Sequence, residues 1–274
     1  MRILFIGGDS RMEYAARRLA ETHEVSRLGD DCSGVFDAIV LPLPLTKDGK
    51  TITIPNGSPL TFEELGGIIG RLADEHTLVL AGGECSALVD VCERNGCGLV
   101  NYFANETLTL QNAALTAEAA LCLLSQSGDG ALLGSEVLIL GSGRIAVFLG
   151  ERLRACGARV TFAARSADKR TLIRLNGFSA IPLEELRERL CEFDYAANTI
   201  PSPLFGEEMF SAMKTHAVFM ELATLPDQKA IAERSGINYI FAGGLPGRYS
   251  PKAAGEFIAE TVGEIIKSRD TDQS

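Results

Sequence analysis

Residues 137–166, VLILGSGRIAVFLGERLRACGARVTFAARS, constrain this chain more tightly than any other stretch. Val137 to Leu140 is a short apolar run of the kind that forms a strand buried on both faces. Gly141-Ser142-Gly143-Arg144-Ile145-Ala146 follows at once, then a helical pattern to about Cys156, then a second strand from Arg159 to Ala163. In such a β-α-β unit, G-x-G-x-x-A at the first strand-helix turn marks a dinucleotide site. Gly141 permits the tight turn, Gly143 lets the backbone approach a pyrophosphate, and Ala146 keeps the helix close to the sheet. The phosphates would sit on N–H groups at the helix N terminus, so Ser142, Arg144 and Ile145 join the candidate cofactor residues. A glycine-rich turn without a ligand is the bland alternative.

The end of the second strand bears on which dinucleotide is bound. NAD sites usually place an acid about 20 residues after the motif, on the ribose 2′-hydroxyl. Here the segment reads Ala163-Ala164-Arg165-Ser166, with Lys169 and Arg170 one turn later and no acid at the strand end. Arg165 can pair with a 2′-phosphate and stack on adenine, Ser166 can donate to the same group, and Lys169 adds charge. The pattern favours NADP, with NAD as the alternative if Arg165 is solvated and Ser166 only caps the next helix.

At 274 residues with 46% hydrophobic and 23% charged residues, a globular α/β protein of one large or two medium domains is expected. A net charge of −10 argues against nucleic-acid binding, which needs concentrated cations. No stretch reads as long and apolar enough to span a bilayer and no signal-peptide pattern precedes the first strand, so a cytoplasmic protein is expected. The seven cysteines are scattered without C-x-x-C. Cys85, Cys92 and Cys97 lack a nearby histidine or paired spacing, so no metal site is expected and most are read as buried or partly buried thiols.

Residues 1–105 read as a separate α/β domain, with strands at Arg2 to Ile6, His23 to Ser26, Asp37 to Leu41, Leu78 to Ala81 and Leu99 to Tyr102, and a short β segment at Thr51 to Ile54. Helices are expected near Met12 to Ala20, from Thr61 with Glu64 at capping-box spacing, and near Ser86 to Arg94. Alternating strands and helices imply a mostly parallel sheet covered on both faces. Asn105 to Ser127, free of Gly and Pro, reads as a long interdomain helix over 106–127. Asn112 and Thr116 share one of its faces, available to a cleft or to helix-helix hydrogen bonds.

A Rossmann domain, 128–248, is expected next, with a helix at Leu183 to Cys191 and strands at Tyr195 to Ala197, Val218 to Glu221 and Ile237 to Phe241. The 249–267 segment reads as a helix returning to the first domain, and 268–274 as a frayed tail. The fold class is thus two α/β domains, the second a doubly wound parallel sheet. Ligands in such sheets bind beyond the carboxyl ends of strands. That rule selects Asn198 and Thr199, at the nicotinamide end, as candidate catalytic groups, with Thr199 also a cofactor contact. In the first domain it selects Arg11 as a carboxylate clamp or a surface cation. Arg248 and Lys252 flank a glycine-rich loop and can meet a carboxylate or face solvent, Lys252 being the third catalytic candidate. His23, His76 and His216 precede strands, at the wrong end for an active-site base.

Taken together, GGDSR, LPLPLTKDGKTI, GSGRIA with AARS, NTIPS, the Leu222 to Pro226 region and GGLPGRYSPKAAGEFI resemble the A subunits of bacterial dipicolinate synthase, over nearly the whole chain. The resemblance implies an NAD(P)-linked oxidoreductase subunit that works in spore formation, in the mother-cell cytoplasm, on dihydrodipicolinate to yield pyridine-2,6-dicarboxylate. It also implies a partner, the separate flavoprotein-like B subunit, and leaves a homo-oligomer open. The sparse acid-base inventory keeps a second class alive, a non-catalytic NADP-binding regulatory or scaffold subunit. A shikimate- or hydroxyacid-type dehydrogenase is a third reading, disfavoured by the missing His-carboxylate pair.

Overall fold

The computed structural model describes residues 1–272 apart from Asp31, Asn56 and Asp227. The chain divides into two compact units, Met1–Asn112 with the segment from Ser250 onward, and Ala113–Tyr249. In the first unit, β1 (Arg2–Phe5), β2 (Glu24–Arg27), β3 (Ala38–Val40), β6 (Leu78–Ala81) and β7 (Gly98–Asn101) form a parallel sheet in the order β2-β1-β3-β6-β7. Strands β4 (Thr51–Ile52) and β5 (Leu60–Thr61) pair separately as an antiparallel hairpin.

Helices α1 (Ser10–Leu19), α2 (Phe62–Leu72) and α3 (Ser86–Asn95) connect these strands. Alternation along β1 sends Leu4 to the face covered by α2 and α3, and Ile3 and Phe5 to the face covered by α1. Thr61 and Glu64 complete the capping box, with Thr61 N–H donating to Glu64 Oε2 at 2.8 Å and Glu64 N–H to Thr61 Oγ1 at 3.2 Å.

Helix α4 (Glu106–Ser127) contributes Ala117, Ala120 and Leu124 to the core of the second unit. This helix corrects one expectation, since its length and composition do suffice to cross a membrane. Its apolar character has a structural use here, because these side chains pack in the core.

The second unit continues with β8 (Glu136–Leu140), α5 (Arg144–Ala155), β9 (Arg159–Ala163), α6 (Ala167–Leu175) and β10 (Ser179–Ile181). Next come α7 (Leu186–Arg189), flanked by 3-10 turns, β11 (Tyr195–Asn198), α8 (Glu207–Ser211), β12 (Val218–Glu221), α9 (Lys229–Arg234), β13 (Asn238–Phe241) and α10 (Leu245–Tyr249). All six strands are parallel in the order β10-β9-β8-β11-β12-β13, the doubly wound arrangement. Strand order reverses at β8, so the crevice beyond its carboxyl end is the topological switch point, the place where sheets of this kind take their ligands.

The last helix, α11 (Pro251–Asp272), packs on α1 in the first unit through Ile258, Val262 and Ile266. It runs past Lys267, beyond which the sequence suggests a frayed tail, because Ser-Arg-Asp-Thr-Asp holds no Gly or Pro to stop it. Gln273 and Ser274 lie outside the described residues.

Candidate functional site

Backbone geometry at the end of β8 builds the site. Gly141 has φ +113°, a conformation that L side chains rarely adopt, and a Cβ there would run into Thr199 Oγ1. Its N–H donates to Ala163 O at 2.9 Å, tying the turn to β9. Gly143 is the N-cap of α5, where no side chain supplies a capping hydrogen bond, and a Cβ added to it would point into open space. An anion can therefore approach the helix N terminus, where the first N–H groups of a helix and its dipole favour negative charge. These residues fit a pyrophosphate. Ala146 is fully buried against the sheet, and Ile145 is half-buried beside it.

A crevice of about 420 Å³ opens over this turn. It is lined by Gly141, Ser142, Gly143, Arg165, Ser166 and Thr199, six of the nine cofactor residues expected from sequence, together with Leu183, Ile200 and Pro201. Arg165 and Lys169 are exposed. The Ser166 side chain accepts from Lys169 N at 3.4 Å as the cap of α6, which leaves its hydroxyl hydrogen for another acceptor. Arg170 shapes the strand end from behind, its Nη1 donating to Ala164 O at 2.7 Å and Arg165 O at 2.6 Å.

Thr199 lines the crevice with its Oγ1 donating to Leu140 O at 2.7 Å, so its hydroxyl oxygen is left to the pocket as an acceptor. Asn198 departs from the expectation of a group that reaches a substrate. It is 1% exposed, and both ends of its amide are engaged by Ile200 and Glu221. In the sequence Glu221 is only the end of a strand; its partner lies on the neighbouring strand, invisible to local pattern.

Arg11 also departs from its expected role. It is 5% exposed, its Nε and Nη2 bond the Asp9 carboxylate at 2.8 to 3.2 Å, and Nη2 also donates to Leu43 O. Its Nε and Nη2 donors are thus committed inside the first unit. Burial opposes the Asp9 charge, but the hydrogen bonds and charge of Arg11 outweigh it and hold the carboxyl below its ordinary value.

Arg248 is exposed on α10, its guanidinium 5.6 Å from the Tyr249 ring centroid. Lys252 is exposed on α11, 3.9 Å from Glu256 one turn on. No group of His, Cys, Asp and Glu among the described residues is arranged to hold a metal. Cys92 is buried, Cys85 and Cys97 partly so, while Cys122, Cys156 and Cys191 are exposed. Burial, and to a lesser degree Cys97, pushes the Cys92 thiol up to about 11, away from reactivity.

No family model matches the chain. It is 26% identical over 287 aligned positions to the A subunit of dipicolinate synthase from Bacillus subtilis, covering 97% of this chain and 96% of that protein. Crystal structures of dipicolinate synthase A subunits are similar along their length: from Bacillus subtilis with TM-score 0.84, 24% identity and coverage of 99% and 97%, and from Bacillus halodurans with TM-score 0.83, 24% identity and coverage of 96% and 97%. An NAD-dependent formate dehydrogenase from Staphylococcus aureus, solved with NAD, shares the fold at TM-score 0.58 and 15% identity, covering 100% of this chain and 97% of that one. The resemblance carried by the sequence motifs therefore extends over the whole chain, and its fold is the Rossmann-type α/β fold of nicotinamide-dependent dehydrogenases.

Proposed function

We propose that this chain is an NADP-linked oxidoreductase subunit that converts dihydrodipicolinate to pyridine-2,6-dicarboxylate in spore formation, in concert with a separate B subunit. The observation that carries the reading is the uncapped, open N terminus of α5 facing an acid-free strand end with Arg165, in a chain similar throughout to the A subunit of a dipicolinate synthase.

Oxidising the dihydropyridine removes a hydride and a proton, and the ring gains aromaticity. NADP supplies the hydride acceptor when bound. The protein's task is then mainly to bind and orient. Gly141 to Ile145 cradle the pyrophosphate, Arg165, Ser166 and Lys169 hold the 2′-phosphate, and Thr199 accepts from the nicotinamide side. Because aromatisation drives the reaction, a strong acid-base dyad is unnecessary. Arg248 remains the candidate for a substrate carboxylate, with Lys252 a second cation for the same chemistry.

One observation favours the scaffold reading instead: Arg11 and Asn198, two of the groups expected to meet substrate, are engaged within the protein. An assay separates the two. The purified chain, alone and with the B subunit, is mixed with freshly made dihydrodipicolinate and NADP. Reduced cofactor appearing with pyridine dicarboxylate supports the oxidoreductase. Product formed with no cofactor reduction leaves the chain as a scaffold.

A further inference from the structure

Glu221 ends β12 as the register partner of Asn198 on β11, and both side chains are buried at the carboxyl edge of the sheet, 3% and 1% exposed. Asn198 Nδ2 donates to both Glu221 oxygens at 3.0 Å and to Ile200 O at 3.2 Å, while Asn198 Oδ1 accepts from Ile200 N at 3.0 Å. Glu221 Oε1 also accepts from Ala223 N at 2.9 Å. An ionised carboxylate only accepts, so it dictates which end of the amide faces it. The amide thus set grips the Ile200 backbone by both its N–H and its carbonyl. Ile200, with Thr199, forms one wall of the crevice over the glycine turn.

A buried carboxylate is costly without a cation, and Glu221 makes no ion pair among the described residues. Burial pushes its carboxyl above the ordinary value, opposed by Asn198 and by the Ala223 N–H. An apolar residue would fill the space at lower cost, but it could not orient the amide.

We infer that Glu221 is a positioning residue for the dinucleotide pocket, acting through Asn198 to set the Thr199–Ile200 wall. The inference rests on the proposed cofactor reading and adds a residue to it. Glu221 does not touch the cofactor in this account; it fixes the polarity of the group that holds the wall.

The test is an acceptor series at position 221. Glu221→Leu offers the Asn198 amide no acceptor, whereas Glu221→Gln keeps one, because its carbonyl can still face the Asn198 and Ala223 N–H groups. Glu221→Leu is expected to raise the NADP dissociation constant about tenfold, the loss of roughly one well-made hydrogen bond. Glu221→Gln is expected to stay within about threefold of wild type. Calorimetric titration with NADP reads the affinity, and amide hydrogen exchange at Ile200 reads the clamp without any cofactor. Exchange should quicken in Glu221→Leu and stay near wild type in Glu221→Gln.

Lower thermal stability in Glu221→Leu with unchanged Ile200 exchange would mark general destabilisation and overturn the inference. Wild-type affinity in Glu221→Leu, or an equal loss in Glu221→Gln, overturns it as well while leaving the cofactor reading intact. A wild-type chain that binds no dinucleotide removes the reading itself, and this inference with it.

Discussion

Asp9 and Arg11 close on one another at the start of α1, with Arg11 Nε 2.9 Å from Asp9 Oδ1 and Nη2 2.8 Å from Oδ2, while the Arg11 N–H donates to Asp9 Oδ1 at 3.0 Å. One carboxylate thus serves as helix cap and as anchor for a buried guanidinium, which in turn holds the Leu43 carbonyl. Asp9 is a structural acid. Arg11→Ala should cost roughly 2 to 3 kcal/mol, since it leaves a buried carbonyl and a partly buried carboxylate without their donor, and urea denaturation measures it.

The same pair sets a pH dependence. The folded carboxyl of Asp9 lies below its ordinary value of 3.8, so the unfolded chain takes up the proton first as pH falls. The contribution of Asp9 to stability is present above 3.8 and lost as pH drops through the lower folded value. Asp9→Asn should flatten that limb of a stability-against-pH curve, with the variant and wild type converging at the acid end. Parallel curves for the two proteins would contradict this.

Gly141 and Gly143 stand two residues apart yet should respond oppositely to alanine. Gly141→Ala forces a side chain into a left-handed conformation and against Thr199, so a loss of roughly 1 to 3 kcal/mol is expected in thermal or urea denaturation. Gly143→Ala meets open space and an unstrained backbone, with no loss of fold stability. On the proposed reading its methyl group would stand in the approach of the pyrophosphate, so NADP affinity should fall by about tenfold or more.

On the proposed cofactor reading, Arg165 is the residue that tells the two dinucleotides apart. Arg165→Ala should weaken NADP by about tenfold to a hundredfold, the range of a charge-assisted pair with phosphate, and leave NAD affinity within about twofold. Paired titrations with the two cofactors measure it. Equal losses for both would assign Arg165 to the adenine or to solvent instead of the 2′-phosphate.

Much of the fold was legible because burial leaves its mark on local sequence. The strands at Arg159–Ala163 and Val218–Glu221 occupy the residues their apolar runs predicted, and Thr61 with Glu64 announces the start of α2. β10, at Ser179–Ile181, is too short to show a period, and α8 and α9 carry too few residues for an apolar stripe to register. The strand-turn-helix geometry at GSGRIA was readable because it is a matter of backbone conformation, encoded in small residues adjacent in sequence. The fates of Arg11 and Asn198 were not. Whether a guanidinium or an amide is free depends on partners such as Leu43 and Glu221, brought close only by the parallel sheets.

The oxidoreductase reading meets its most direct test in the stoichiometry of one reaction. Purified chain with its B subunit is given freshly prepared dihydrodipicolinate and NADP, and reduced cofactor and pyridine-2,6-dicarboxylate are followed together. The account predicts that they appear mole for mole, and that Gly143→Ala slows both equally. Pyridine dicarboxylate accumulating while NADP stays oxidised would contradict it.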